Sequence, residues 1–577
     1  MDAKLRSGSR IAVVGGGPAG SLFSFFLQNM AAKADISLHL DIYEPKQFSA
    51  FGPAGCNMCG GIISESLVQL LAFEGISLPA TVVQRGIDSY IMHTDVGRIK
   101  IDPPGHEKRI AAIHRGGGPR GSIHAQWESF DGYLLGLATE RGAVTRQTRV
   151  EGIEWIGGKP CLKTVEGLSE PYDLVTVASG INTAFLKSLT APPLNFKLPK
   201  TTKTYISDFH LGQEAIDLFL GSSMHVFLLD LPRLEFAAII PKGEFVTVCL
   251  LGENIDQKLI DAFFEDPEVR ICFPAGWHPP ANSCRCSPAI SIDGAPTPYG
   301  DRIVFIGDAG VNRLYKDGIG GSYRTAKAAA RTAIFTGVSA AAFADSFEPV
   351  CRKLSRDNAI GRIIFLVTKV IQKVSVARQA VLAMTFREQS HPEKEARMSG
   401  VLWDTFTGSA PYTDVFLRTL HPVFLLRLFY SALSGVIPQL QKEHCVSGRS
   451  VMKMGELGKT YKQGEILFTE GEAGDAMFVV LSGTVEVVKG TGDGEVRLAE
   501  FGSGEIFGEM AMFGRNKRSA TVRAVGETRV ITIDRKMFME KIHQDPSLAM
   551  RIMEKMSERI RTLNDSLTSA ASSRQQT

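Results

Sequence analysis

Near the start of the chain, the stretch RIAVVGGGPAG (Arg10 to Gly20) restricts the fold more than any other. The apolar run Ile11 to Val14 reads as a buried strand, the glycines as a tight turn, and SLFSFFLQ as a continuing helix. Gly15, Gly17 and Gly20 fall on the three positions of GxGxxG. The first permits the turn, the second lets backbone approach a pyrophosphate, and the third lets helix and strand pack closely. The helix N-terminus then faces the phosphates. ISLHLDIYEPK follows as an alternating strand that ends at Glu44, a carboxylate placed to accept hydrogen bonds from a ribose.

Two later stretches repeat this grammar. PYDLVTVASGINTAF is a buried strand closed by small residues, and DRIVFIGDAGVNRLYKDGIGGSYRTAKAAARTAIF is strand, acidic turn, Gly-rich turn and long helix. Together these blocks resemble the flavin-binding segments of the FAD-dependent hydroxylase and geranylgeranyl reductase superfamily. The resemblance implies that Asp308 binds the ribitol or pyrophosphate region of FAD, and that the backbone of Gly318, Gly320 and Gly321 lies by the ring. Three further pieces are similar to the reductase branch: CNMCGGIIS with Cys59, the helix ESFDGYLLGLATERGA, and EFAAIIPKGEF with Pro241 and Lys242. The likeness runs from about Ile11 to Ser346.

Two departures stand out. AAIIP replaces the large aromatic and Phe that usually precede this Pro, and HRGGGPRGSIHAQWE is an unusual insertion. Its arginines are suited either to gripping an anion, such as a nicotinamide dinucleotide phosphate, or to an exposed loop. A second complete GxGxxG is missing, so NADPH or NADH as electron donor implies a transient surface site. Cys59 has two readings: proton donor to a carbon left anionic by hydride delivery, or packing against the ring.

From Phe347 to about Gln441 helical spacing takes over. Ile363, Ile364, Val367, Val370, Ile371 and Val374 form one stripe. Residues 351–430 hold twelve Lys and Arg against six Asp and Glu. Such helices suit a cap packed on the flavin domain, or a peripheral contact with an anionic membrane.

Beyond Val451 the pattern becomes short alternating strands punctuated by Gly464, Gly471, Gly483 and Gly504. This module resembles a cyclic nucleotide-binding domain, which implies an eight-stranded jelly roll. FGEMAMFGRNKRSATVRA stands at its phosphate cassette. By that resemblance Gly508 and its neighbours present backbone amides, Glu509 accepts from the ribose 2′-hydroxyl, and Arg518 and Ser519 hold the cyclic phosphate. Lys517 stands where Pro is usual, and Ser519 suits either cyclic AMP or cyclic GMP. Ile552, Met556, Ile560 and Leu563 then form a helical seam that either covers the ligand or pairs with a second chain to make a homodimer.

The expected fold is therefore an α/β Rossmann-type FAD-binding domain over 1–346 with an interleaved α+β substrate subdomain (about 75–120 and 195–290). A helical cap (347–450), a jelly-roll cyclic nucleotide-binding barrel (451–545) and a C-terminal helix and tail (546–577) follow. The net charge of +3 argues against a general nucleic-acid binder. Nine scattered cysteines suit reduced cytoplasmic thiols. Cys56 and Cys59 (CxxC) and Cys284 and Cys286 (CxC) are too unlike in spacing for an expected metal set.

The functional expectation is a flavin reductase acting on C=C bonds of a hydrophobic, prenyl-like substrate and regulated by a cyclic nucleotide. A monooxygenase of an aromatic or polyketide-like compound and a non-catalytic sensor scaffold are its rivals. A halogenase fits less well, since WxWxIP is missing.

Overall fold

A computed structural model describes residues 4–102, 107–120, 127–192, 194–391, 395–433, 457–491, 494–514 and 517–575. Two compact units divide the chain: Met1–Leu67 with Ala80–Glu456, and Val68–Pro79 with Leu457–Thr577.

In the first unit, the strand Arg10–Val14 lies inside a six-stranded sheet. It pairs in parallel with Leu174–Val177 on one side and His39–Tyr43 on the other, so Val14 stands level with both Val177 and Tyr43. Ile303–Phe305 and Val144–Arg146 extend the parallel set, and Tyr299–Gly300 closes one edge antiparallel. The helices Pro18–Lys33 and Gly318–Arg331 meet through Phe26 and Tyr323, edge to face at 5.3 Å. This is the doubly wound arrangement expected from the glycine turn, and it aligns the carboxyl ends of the strands, where such sheets bind ligands.

A seven-stranded mixed sheet forms the interleaved part: Cys284–Cys286, Tyr205–His210, Phe245–Gly252, Leu234–Lys242, Ser223–Phe227, Ser89–Thr94 and Gly97–Ile101. Every residue of Leu234–Lys242 is buried, because both sheet faces are covered. Phe227, Ile239 and Val248 pack on one side with the helix Gln257–Glu265, which offers Phe263 and Phe264. Met224, Phe236, Ala238 and Ile240 join the other side, shared with Phe365, Trp403, Phe406 and Tyr412 of the helical segment.

That helical segment is a cap. Asn358 accepts from Leu314 N at 2.9 Å and donates to Asn312 O at 2.8 Å, while Arg313 donates to the carbonyls of Gly408 and Ala410. The single stripe expected on its long helix, Glu348–Lys373, divides in two. Ile364 and Ile371 pack on the core with Phe365, whereas Ile363, Val367 and Val370 are exposed. A helix with apolar residues all round cannot turn every one toward a single neighbour. Residues 434–450, the rest of the expected cap, lie outside the described residues.

The second unit contains the β module. Among the described residues six continuous strands stand where eight were expected: Ala476–Thr491 and Thr521–Asp534 each run long enough to serve twice. Their pairing shifts register around Ser482, where Gly483 adopts a positive φ of 82° and bends the strand without breaking it. Phe468, Phe478 and Phe507 stack at its centre. On the final helix, Ser547–Gln575, Ile552 is buried but Ile560 is exposed; the side chain of Leu563 lies outside the described residues.

Candidate cofactor cavity and nucleotide cassette

One cavity of about 970 Å³ opens at the carboxyl ends of the parallel strands. Gly15, Gly17, Glu44, Asp308 and Gly318 line one part; Cys59, Met224, Phe236, Ile240, Cys249, Leu251 and Phe406 line another. The two parts join without a partition, bringing a polar, glycine-edged groove into an apolar chamber.

The glycines divide by task. A Cβ on Gly15 would stand 2.5 Å from Ala178 O, and one on Gly20 would collide with Gly15 O, so these two hold strand and helix together. A Cβ built on Gly17 would meet only side chains, at ordinary contact distance: Arg115 and Asn57 at 3.6 Å and Asp131 at 3.8 Å; Gly17 itself lines the cavity. Room for an approaching pyrophosphate is what the dinucleotide reading requires.

Glu44 ends its strand in the cavity wall. One carboxylate oxygen accepts from Gly16 N at 2.8 Å and the other from Lys46 N at 2.9 Å. Each oxygen keeps a second lone pair for a ribose hydroxyl. Burial raises the Glu44 carboxyl above its usual range, although those two amides oppose the shift. Asp308 is raised by burial as well, and it accepts from Asn312 Nδ2 at 2.5 Å. Gly318 borders the cavity, but Gly320 and Gly321 do not. They are buried where Cβ atoms would strike Asp317 and Asn312, so they allow the close turn rather than form the wall.

The insertion contributes one arginine to the cavity. Arg115 lines it and is held by Asp131, the acid of the FDGYLL helix, at 2.5 and 2.8 Å. Asn57 donates to the same carboxylate at 2.5 Å. Arg115 Nη2 is also one of the atoms nearest Gly17, which places a fixed cation beside the open turn. Arg120 instead lies against Gly52, and residues 121–126 of the insertion lie outside the described residues.

At the apolar end, Cys59 accepts from Gly61 N at 3.4 Å. Pro241 and Lys242 end the central strand of the mixed sheet, and Lys242 is buried beneath Gly61. Burial pushes the Cys249 and Cys286 thiols up to about 12 and raises Cys56. Lys316 was not singled out by its sequence context. Its ammonium lies 3.7 Å from the centroid of the Phe236 ring, and burial lowers it to about 7. The signal available in sequence was its position between two flavin motifs, Asp308 and Gly318.

In the second unit, Gly508 takes a positive φ of 76° and Glu509 starts the short helix Glu509–Gly514. Arg518 is 6% exposed and Glu509 7%. Arg518 donates to Gly508 O at 3.0 Å and Ala476 O at 2.8 Å, and lies 4.1 Å over the Phe468 ring. Its Nε has no partner, and burial lowers the guanidinium from its ordinary value despite Asp475 and Glu472 nearby. Glu509 accepts from Arg559 at 2.9 Å. Ser519 is exposed, and its hydroxyl donates to Met510 Sδ at 3.9 Å. The cassette thus brings Gly508, Glu509 and Arg518 together, while Lys517 pairs in a short bridge with Ala473.

A family model for the cyclic nucleotide-binding domain matches residues 458–545. The cyclic AMP receptor protein of Thermus thermophilus is 33% identical over 104 residues, covering 18% of this chain and 48% of that protein. The cAMP-dependent protein kinase type II regulatory subunit of Drosophila melanogaster is 30% identical over 148 residues, 25% of this chain and 37% of that one. This chain therefore spans less than half the length of either relative. Over 72% of this chain and 99% of its own, a geranylgeranyl bacteriochlorophyll reductase-like protein from Thermoplasma acidophilum superposes with a TM-score of 0.51 at 13% identity. The chain joins a C-terminal module matched by the cyclic nucleotide-binding domain model to a region that shares the fold of this reductase-like protein.

Proposed function

We propose that the protein is an FAD-dependent reductase of C=C bonds in a hydrophobic, prenyl-like substrate, governed by a cyclic nucleotide. The observation that carries this reading is the continuity of the cavity, from Gly17, Glu44 and Asp308 at one end to Met224, Phe236, Ile240 and Phe406 at the other. The residues fit FAD. Gly17 borders the cavity without a side chain, Arg115 stands beside it for the pyrophosphate, and Glu44 retains acceptors for the adenosine ribose. When bound, FAD supplies hydride chemistry.

The protein's own share is positional and protic. Apolar side chains around the chamber exclude water and hold an isoprenoid-like chain. Cys59 and Lys316 stand on that wall as groups able to deliver a proton to a carbon beside the ring, and Lys316 in its charged form also anchors an anionic head. Exposed Leu426, Phe429, Tyr430 and Leu433 on the helix Pro422–Leu433, with Arg427 among them, support a peripheral membrane contact through which such a substrate enters. No helix among the described residues is long and apolar enough to cross a membrane.

Incubating the reduced protein with prenyl alkenes under nitrogen and then in air tests the reading. Saturated product without oxygen uptake supports it; one oxygen atom incorporated per substrate selects a monooxygenase, and neither product selects a sensor scaffold. Regulation requires cyclic AMP or cyclic GMP to bind one state of the enzyme better than another.

A further inference from the structure

We infer that His93, His225 and Cys272 form a zinc site in the mixed-sheet part of the protein, with Glu268 orienting His93. The site stands apart from the flavin cavity and does not depend on the flavin reading. His225 and Met224 are neighbours on one strand, so their side chains point to opposite sheet faces. Met224 lines the cavity; His225 faces the side that holds Phe227 and Phe263.

Convergence of donors is the first ground. Nε2 of His93, Nδ1 of His225 and Sγ of Cys272 lie within 4.8 Å of one another, and all three residues are no more than 1% exposed. Nε2 of His93 is 2.9 Å from Nδ1 of His225, which is 3.4 Å from Sγ of Cys272. Ligands at about 2.0–2.1 Å (N) and about 2.3 Å (S) from a tetrahedral zinc stand roughly 3.3–3.6 Å apart, so the two nitrogens must part by a few tenths of an ångström, while the third separation lies within 4.8 Å.

The support around the donors is the second ground. Nδ1 of His93 faces Glu268 Oε2 at 3.0 Å. A carboxylate on the far nitrogen fixes the tautomer of a ligating imidazole and leaves its other nitrogen as a lone pair. Glu268 sits in the short helix Pro267–Arg270, directly before Cys272, while the histidines come from the adjacent parallel strands Ser89–Thr94 and Ser223–Phe227. An ion would therefore tie the helical segment to two strands.

With Glu268 taking the Nδ1 proton, Nε2 of His93 presents a lone pair toward Nδ1 of His225 at 2.9 Å. Sγ of Cys272 lies 3.4 Å from the same Nδ1 and, while it keeps its proton, donates to Glu268 O at 3.7 Å. Zinc suits two imidazoles and a thiolate; the thiol proton passes to solvent on binding, and the thiolate and Glu268 together balance the ion's charge.

The test uses full-length protein made without a metal-affinity tag, in zinc-replete medium, dialysed against a weak chelator. Metal analysis by plasma mass spectrometry is expected to give one zinc per chain. X-ray absorption at the zinc edge should show nitrogen at about 2.0–2.1 Å and a single sulfur at about 2.3 Å. Cys272→Ser should remove the sulfur shell, and Glu268→Gln should weaken zinc retention about 10–100-fold against a competing chelator. If the variants fail to fold, the wild-type spectrum alone decides. Zinc far below one equivalent, an all-oxygen shell, or a sulfur shell that persists in folded Cys272→Ser overturns the assignment.

Discussion

Arg559 donates to Glu509 at 2.9 Å, so the carboxylate assigned to the ribose of a cyclic nucleotide is held by an arginine of the final helix. The same guanidinium donates to Ile506 O and lies 4.3 Å over the Phe501 ring. A nucleotide that uses Glu509 must compete with this pairing. Arg559→Ala should therefore tighten cyclic AMP binding by about threefold to tenfold, roughly 0.6–1.4 kcal/mol, the net worth of the hydrogen bond the ligand displaces. Isothermal titration of wild type and variant measures it, and weaker binding in the variant would show that Arg559 assists the ligand instead.

Arg518 is the cassette's phosphate ligand in this account, and its unpartnered Nε shows spare donor capacity in a buried setting. Arg518→Ala should weaken cyclic AMP binding at least a hundredfold, about 3 kcal/mol or more. Ser519→Ala, at an exposed position, should cost no more than about tenfold. Competition with a fluorescent analogue ranks the two.

Gly17 and Gly20 separate binding from folding. Gly17→Ala places a methyl at ordinary contact distance from Arg115, Asn57 and Asp131, on the cavity's edge, and should leave the thermal midpoint nearly unchanged while weakening FAD. Gly20→Ala drives a methyl into Gly15 O and should lower stability by several kcal/mol, whether or not flavin is added. Paired thermal melts with and without FAD distinguish the two effects.

Lys316 gives a pH signature. Its amine falls from 10.5 to about 7 on folding, because burial penalises the charged form. Between those values the unfolded chain binds the extra proton, so this group's contribution to stability rises with pH across the window and is least favourable below pH 7. Lys316→Met should raise the melting temperature at pH 6, with the gain shrinking toward pH 10. A gain that is equal at both ends would mean that Lys316 is not buried as a neutral amine.

Asp131 shows what sequence could and could not disclose. The helix beginning FDGYLL was legible from its resemblance to the reductase branch, and the glycine turn from its spacing, because each motif is local. The buried pairing of Asp131 with Arg115 was not, since it depends on how an insertion folds back across the cavity. Gly320 and Gly321 belonged to a recognisable turn, yet sequence could not say that they pack beneath it rather than face the ligand. Among the described residues the eight expected strands number six for a related reason: a glycine that marks a turn in sequence serves as a bend within a continuous strand at Gly483. His93, His225 and Cys272 were invisible as a group, because wide spacing carries no signal until the sheet brings them together.

The central claim is that the cavity holds FAD and that the cyclic nucleotide domain acts on it. Anaerobic stopped-flow reduction of the FAD-loaded protein by NADPH, with and without saturating cyclic AMP or cyclic GMP, tests both parts in one trace. The account predicts a bound flavin that bleaches, at a rate that one nucleotide changes by about fivefold or more in either direction. A protein that takes up no FAD, or a flavin whose reduction is identical under all three conditions, would contradict it.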